Sequence, residues 1–442
     1  MKRLLSSSAI LAIGVLCLGS PAAEWPQFRG PGARGVSDAP GLPKTWSATE
    51  NVAWKAEVPG LGWSSPIVSG SRVFVTTALQ DGKEEEPELG FYLGKSRAGS
   101  GLHWLVLCFD LESGRLLWKQ EAKAGDGTAI HLKNSHASAT PVTDGERVYA
   151  WFGASGLFAF EAATGKPLWG APVGGQRTRH DWGSGASPVL HGDRIYLVND
   201  NEEDAFVAAF DKNSGKELWR KKRPSETNWS TPFIWESGKR TELIVPATQR
   251  TTSYDLDGNE LWSLRGASSI TIATPFSAHG LLYVASGYFG DALKPLFAIR
   301  PGASGDITPG KEETSTPHIA WLDRRAAPYN PSPLVYRDQL YVLLDQGFLA
   351  SYDAVTGREI YGKQRLNAGG IANFTASPWA SNGYIYCLSE RGVTYAVEAG
   401  PEFKVVSTND LGEPCLATPA LAGDRLLIRT AGSLHCIREA KN

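Results

Sequence analysis

Three stretches decide the fold: FDLESGRLLW (residues 109–118), FEAATGKPLW (residues 160–169) and FDKNSGKELW (residues 210–219). Each runs from an apolar strand-like segment through a carboxylate-led turn with Ser-Gly or Thr-Gly, then into a second strand ending in Trp. Glycine supplies the positive φ that such a turn requires. The carboxylate that opens the turn can accept hydrogen bonds from the turn amides. Related copies are DLDGNELW (residues 255–262) and DAVTGREIY (residues 353–361). The terminal aromatics Trp118, Trp169, Trp219 and Trp262, with Tyr361, are read as wedges packed between neighbouring units.

Working outward, each unit opens on a small hydroxyl residue followed by proline and a short apolar run. The openings begin at Ser65, Thr140, Ser187, Thr231, Thr274, Ser332, Ser377 and Thr418. Five of the seven intervals between their prolines fall between 41 and 47 residues, and the two longer ones mark insertions in the first and fifth units. A second strand follows each opening, as in GSRVFVTTA (residues 70–78) and GDRIYLVND (residues 192–200). Four short strands per unit at a period near 45 residues indicate the blade of a β-propeller.

The repeat predicts an all-β chain, an eight-bladed β-propeller of four-stranded antiparallel blades. The last unit has room for three strands only, whereas ENVAWKAEVPG (residues 50–60) reads as one strand ahead of the first opening, with Trp54 in the wedge position. The last blade is therefore expected to be closed by the N-terminal strand, which removes two exposed sheet edges together. The expected division is a signal peptide over residues 1–23, an extension packed on the propeller over residues 24–49, and the propeller over residues 50–442. The leader rests on Lys2 and Arg3 before an apolar run from Ala9 to Leu18, followed by small residues. A permanent anchor is the other reading of that run, which is shorter than the roughly 20 residues a span needs. The chain is thus expected to be exported, to the periplasm or cell envelope or beyond, with no membrane span after cleavage.

Composition narrows the function classes. Among 442 residues, Lys plus Arg is 44 and Asp plus Glu is 46, a balance that argues against nucleic acid as partner. Met1 is the one methionine, which excludes an axial-Met haem or blue-copper site from a mature chain. Cys108, Cys387, Cys415 and Cys436 remain after the leader; three lie in apolar strand runs and are expected to be buried thiols, and no C-x-x-C spacing suggests zinc.

In a propeller, the loops leading into the innermost strands share one face with the loops between second and third strands. The side chains expected at that mouth are Trp63, Asn134, His136, His180, Asp181, Trp182, Asn228, Trp229, Tyr329, Asn330 and Asn373. Hydrogen-bonding groups alternating with aromatics suit a small polar ligand, a glycan or a peptide segment. The same residues could equally cap strand ends and plug the channel. His136, His180 and Asp181 form the one imidazole–carboxylate cluster; an acid–base or metal role would require them to converge. No catalytic or metal set is assigned. The first-unit insertion, residues 80–103 with the acidic run KEEEPE, is expected to be a loop on the mouth face. Residues 287–295 and 302–317 are read as loop as well.

The units resemble the PQQ-like propeller repeat, which joins an Asp-x-x-Thr-Gly-x-x-x-Trp segment to a Ser/Thr-Pro strand. The segments WPQFRGP (residues 25–31), GWSSPIV and KNSHAS look like exported bacterial members of that family. The resemblance spans residues 52–437 and implies an eight-bladed, single-domain propeller, but no particular activity. One branch of the family comprises dehydrogenases that bind pyrroloquinoline quinone (PQQ) with calcium; their calcium ligands, catalytic Asp and adjacent cysteines have no residue-by-residue match here. Another is the BamB-type scaffold of outer-membrane assembly. The expected function is an exported, non-catalytic binding or scaffold protein, a monomer without cofactor, whose partner is an envelope protein, a glycan or a small polar ligand. The alternative is a quinone-dependent oxidoreductase using PQQ and calcium.

Overall fold

A computed structural model describes residues 24–439 apart from 83–86, 91–93, 95, 176 and 368–371. The leader reading therefore lies outside the described residues, as do the first four residues of KEEEPE. Eight antiparallel sheets follow one another in chain order, one per Ser/Thr-Pro opening. Blade 1 starts at Ser65 and blade 8 at Thr418. Among the described residues, helical structure is confined to three short 3-10 turns, and no helix is long and apolar enough to cross a membrane.

Closure occurs through the N-terminal strand. Val52–Glu57 pairs antiparallel with Ser433–Ile437, from Val52 opposite Ile437 to Glu57 opposite Ser433. Blade 8 thereby gains its fourth strand from the opposite end of the chain. Trp54 fills the seam between blades 8 and 1, and its Nε1 donates to the Leu111 carbonyl at 3.0 Å.

The same joint recurs around the ring. Trp118, Trp169, Trp219 and Trp321 donate from Nε1 to the carbonyls of Ala162, Lys212, Leu256 and Ala354 at 3.0–3.1 Å. Each indole lies flat on the turn glycine of the next blade. At Gly215, φ is +71° and a methyl group would come within 2.5 Å of the Trp169 ring. Asp110, Asp211 and Asp353 accept the amides of Ser113, Ser214 and Thr356 at 2.8 Å and fix these turns. The Gly215→Ala chain should therefore lose about 2 kcal/mol, from the left-handed backbone penalty plus wedge displacement. Gly192→Ala, at φ +59° with open space around it, should lose only the backbone part. Urea unfolding of the two variants checks the difference.

Two expectations change. Residues 302–317 are not all loop: Gly305–Asp306 adds to the outer edge of blade 4, parallel to Glu260–Arg265. Trp262 of blade 4 is buried in one cluster with Leu282, Val284 and Phe297 of blade 5, as expected of a wedge, but the fifth unit lacks the Asp-led turn and the indole donates instead to Glu242 Oε2 at 2.6 Å; the fifth unit's own wedge is Trp321. Residues 80–103 are not all loop either. Ser96–Asp110 and Leu116–His131 continue as a long hairpin beyond the blade. Glycines permit this, because Gly99 faces Gly127 and a methyl group at Gly99 would meet the His136 ring at 2.5 Å.

The extension crosses beneath the ring. Trp25 pairs with Val68 of blade 1, and the Pro26 carbonyl accepts the Thr143 amide of blade 2. Arg29, fully buried, donates to the Pro333 carbonyl of blade 6 at 2.6 Å. Asp38 accepts Tyr336 Oη at 2.6 Å and the Asn382 amide at 2.7 Å, and the Trp46 amide reaches Asn409 in blade 7. Cys108, Cys387, Cys415 and Cys436 are buried free thiols.

Candidate functional site

The Ser/Thr of each opening has a specific task. In six of the eight, the hydroxyl oxygen accepts the amide of the matching residue in the preceding blade. Ser65 N donates to Thr140, Thr140 N to Ser187, Ser187 N to Thr231, Thr274 N to Ser332, Ser332 N to Ser377 and Ser377 N to Thr418, all at 2.9–3.0 Å. The step from Thr231 to Thr274 is tied by Ser230 Oγ donating to the Ala273 carbonyl. The closing step is tied by buried Arg429, whose Nη1 donates to Ser64 Oγ at 2.7 Å. Proline follows because that position needs no ladder donor at the strand start.

Above this ring lies a cavity of about 260 Å3, lined by all eight hydroxyl residues. Phe28 of the extension is part of the lining, so the crossing segment closes one end of the channel. Trp63, Trp182, Trp229, Phe289 and Tyr329 form an aromatic collar. Trp63 Nε1 donates to the Lys133 carbonyl at 3.0 Å and Trp229 Nε1 to the Gly183 carbonyl at 2.7 Å, which fixes both indoles. Trp182 and Trp229 have ring centres 5.9 Å apart.

One ion pair sits in the wall. Lys133 Nζ lies 2.5 Å from Glu390 Oε1, with the carboxylate almost wholly buried. Glu390 also accepts Thr375 Oγ1 at 2.8 Å and the Gly90 amide at 2.7 Å. It thus joins blade 7, the loop leading into blade 2 and the first-unit insertion.

Of the residues singled out from sequence, Trp63, Asn134, Trp182, Trp229, Tyr329 and Asn330 line this cavity. Asn134 also bridges blades, donating to the Trp182 and Ser184 carbonyls at 2.8 and 3.1 Å. The other five lie elsewhere. His136 lines a separate cavity of about 250 Å3 between the hairpin and blade 2. His180 and Asp181 are exposed in the Arg179–Asp181 turn, with φ of 53° and 55°. Asn228 is buried behind the collar, where its Oδ1 accepts the Thr271 amide at 2.7 Å. Asn373 offers its backbone carbonyl to the Glu390 amide. His136, His180 and Asp181 do not converge. Among the described residues, no three His, Cys, Asp or Glu side chains are placed to hold a metal ion.

Sequence reasoning missed Lys133, Glu390 and Phe289. A signal existed for the carboxylate: the second strands of blades 3, 6 and 7 end in YLVND, YVLLD and YCLSE. Each acid turns inward. Asp200 meets Arg223, with Nε 3.1 Å from Oδ1; Asp345 accepts the Tyr329 and Asn330 amides at 2.9 Å; Glu390 meets Lys133.

A family model described as outer membrane protein assembly factor BamB matches over residues 36–203, 103–287 and 203–441. BamB from Moraxella catarrhalis is 13% identical with a TM-score of 0.55, covering 82% of this chain and 98% of that one. A quinohemoprotein alcohol dehydrogenase from Comamonas testosteroni is 12% identical with a TM-score of 0.62, covering 95% and 81%. The computationally designed Ika8 protein is 11% identical with a TM-score of 0.55, covering 87% and 98%. These likenesses concern the fold alone. No curated protein matches the sequence.

Proposed function

The chain belongs to the family described as outer membrane protein assembly factor BamB, and on that premise we propose that it is an exported, non-catalytic binding or scaffold protein of the cell envelope. Its recognition site is the propeller mouth. The observation that carries this reading is the lining: neutral hydroxyls below, aromatic rings above, Lys133 neutralised by Glu390 behind it, and one imidazole, His131, whose Nδ1 accepts the Lys133 amide at 3.1 Å. Such a surface can hold a ligand and orient it, but it offers no activated nucleophile or poised acid–base pair. Export rests on the leader-like N-terminus.

The oxidoreductase reading meets this lining less well. PQQ carries three carboxylates and works with calcium. Among the described residues lining the cavity, Lys133 is the one cation, and Glu390 already holds it. Burying several uncompensated carboxylates there would be costly. The residues present do not fit the quinone.

Site-specific photo-crosslinking in the native cell tests the proposal. A benzoylphenylalanine replacing Phe289, at the mouth, should give adducts in the envelope fraction. The same group replacing Leu218, exposed on an outer strand, should not. Adducts from the outer position alone would overturn it.

A further inference from the structure

The eight Ser and Thr residues at the openings are between 1% and 6% exposed, and all eight line the cavity. Six of the interblade steps use a hydroxyl oxygen as acceptor. Among the described residues, none of the eight hydroxyl hydrogens has an acceptor. An N–H donated to a hydroxyl oxygen polarises its O–H and strengthens it as a donor. A hydroxyl has two lone pairs, so each oxygen that accepts one amide still offers a second acceptor site. The floor is therefore a ring of groups that donate once and accept once, as the hydroxyls of a sugar do.

Three further observations select among oxygen-rich ligands. The one Lys in the wall, Lys133, is neutralised by Glu390, and the one other basic side chain lining the cavity is the His131 imidazole. Trp63, Trp182, Trp229, Phe289 and Tyr329 line the cavity, and the negative face of an aromatic ring attracts the partly positive C–H bonds of a pyranose ring. At about 260 Å3 the cavity is slightly smaller than the roughly 300–1,000 Å3 usual for drug-sized small-molecule sites. That size suits one ring rather than a long chain. Resting on the binding-protein reading above, we infer that the mouth takes the terminal ring of a neutral saccharide, its oxygens on the hydroxyl ring and its C–H faces against the collar.

Ser65 and Thr274 supply the test, since no interblade amide donates to either hydroxyl among the described residues. Ser65→Ala with Thr274→Val removes two cavity donors and leaves the six interblade bonds in place. The mature chain is titrated with cellotriose, xylotriose, mannotriose and chitotriose, followed by tryptophan emission and calorimetry. At least one trisaccharide should bind saturably, and the double variant should bind it about tenfold more weakly, since each tenfold is about 1.4 kcal/mol. Its melting temperature should not change. Binding that is equally tight in the double variant would overturn the inference. So would failure of all four probes while sulfate or citrate raises the melting temperature, which would make the ring an anion site. Mouth adducts from the Phe289 position without saccharide binding would sink the saccharide and leave the binding-protein reading standing.

Discussion

A chain in which residues 52–57 are replaced by a Gly-Ser linker of the same length should not melt cooperatively, whereas the parent chain should. Both keep the segment that crosses beneath the ring, so the comparison isolates the Val52–Glu57 strand. Without it, blade 8 keeps three strands, and Ser433–Ile437 becomes a bare edge. Trp54 also leaves the seam, and the Leu111 carbonyl loses its indole donor. Truncating a buried Trp alone costs about 3–5 kcal/mol. Adding the lost ladder brings the total into the range of the whole net stability of a domain, about 5–15 kcal/mol. Circular dichroism melts of the two chains measure this directly. Equal cooperative melts would show that blade 8 holds the ring without its borrowed strand.

Acidification should weaken the fold by about 3 kcal/mol through one side chain, His136. Burial under the Gly99–Gly127 strand pair, with Arg97 adding like charge, lowers its pKa to about 4. The unfolded chain protonates this imidazole near pH 6.5. Between pH 6.5 and 4 the unfolded state thus binds more protons, so stability falls as pH falls. The contribution is complete above pH 6.5 and lost by pH 4; at about 1.4 kcal/mol per tenfold change in proton affinity, it comes to about 3 kcal/mol. Urea unfolding at pH 7 and pH 4 should show His136→Gln losing that much less than the parent chain. The turn carboxylates Asp110, Asp211 and Asp353, held below the usual range mainly by hydrogen bonds from Ser113, Ser214 and Thr356, titrate in both chains and cancel. Identical losses would remove His136 as the cause.

Much of the ring was legible because its joints are short, local and repeated. Ser/Thr-Pro marks the hydroxyl that ties one blade to the next, and Asp-x-x-Ser/Thr-Gly marks the turn on which the neighbouring Trp rests. Closure followed from counting strands at the two ends. Where an insertion replaces a joint, the reading weakened: the missing Asp-led turn in unit five hid Trp321 and redirected Trp262. Paired glycines turned an expected loop into a hairpin, since glycine content signals loop and flat strand alike. Within the mouth, residues two apart have different fates. Asn134 lines the cavity, whereas His136 lies behind it under Leu102 and Gly99. Local sequence carries no sign of that difference, because it depends on how the hairpin of blade 1 leans over the loop leading into blade 2. The inward carboxylates at the ends of second strands were visible in sequence, but their partners Arg223 and Lys133 come from other segments of the chain.

The mouth, with its one Lys held by Glu390, is built for recognition rather than for a polyanionic cofactor. Calorimetric titration of the mature chain with PQQ in calcium buffer, with dye-linked alcohol oxidation read on the same sample, tests this most directly. No saturable binding and no dye reduction are expected. One-to-one binding with alcohol-dependent dye reduction would contradict the recognition role.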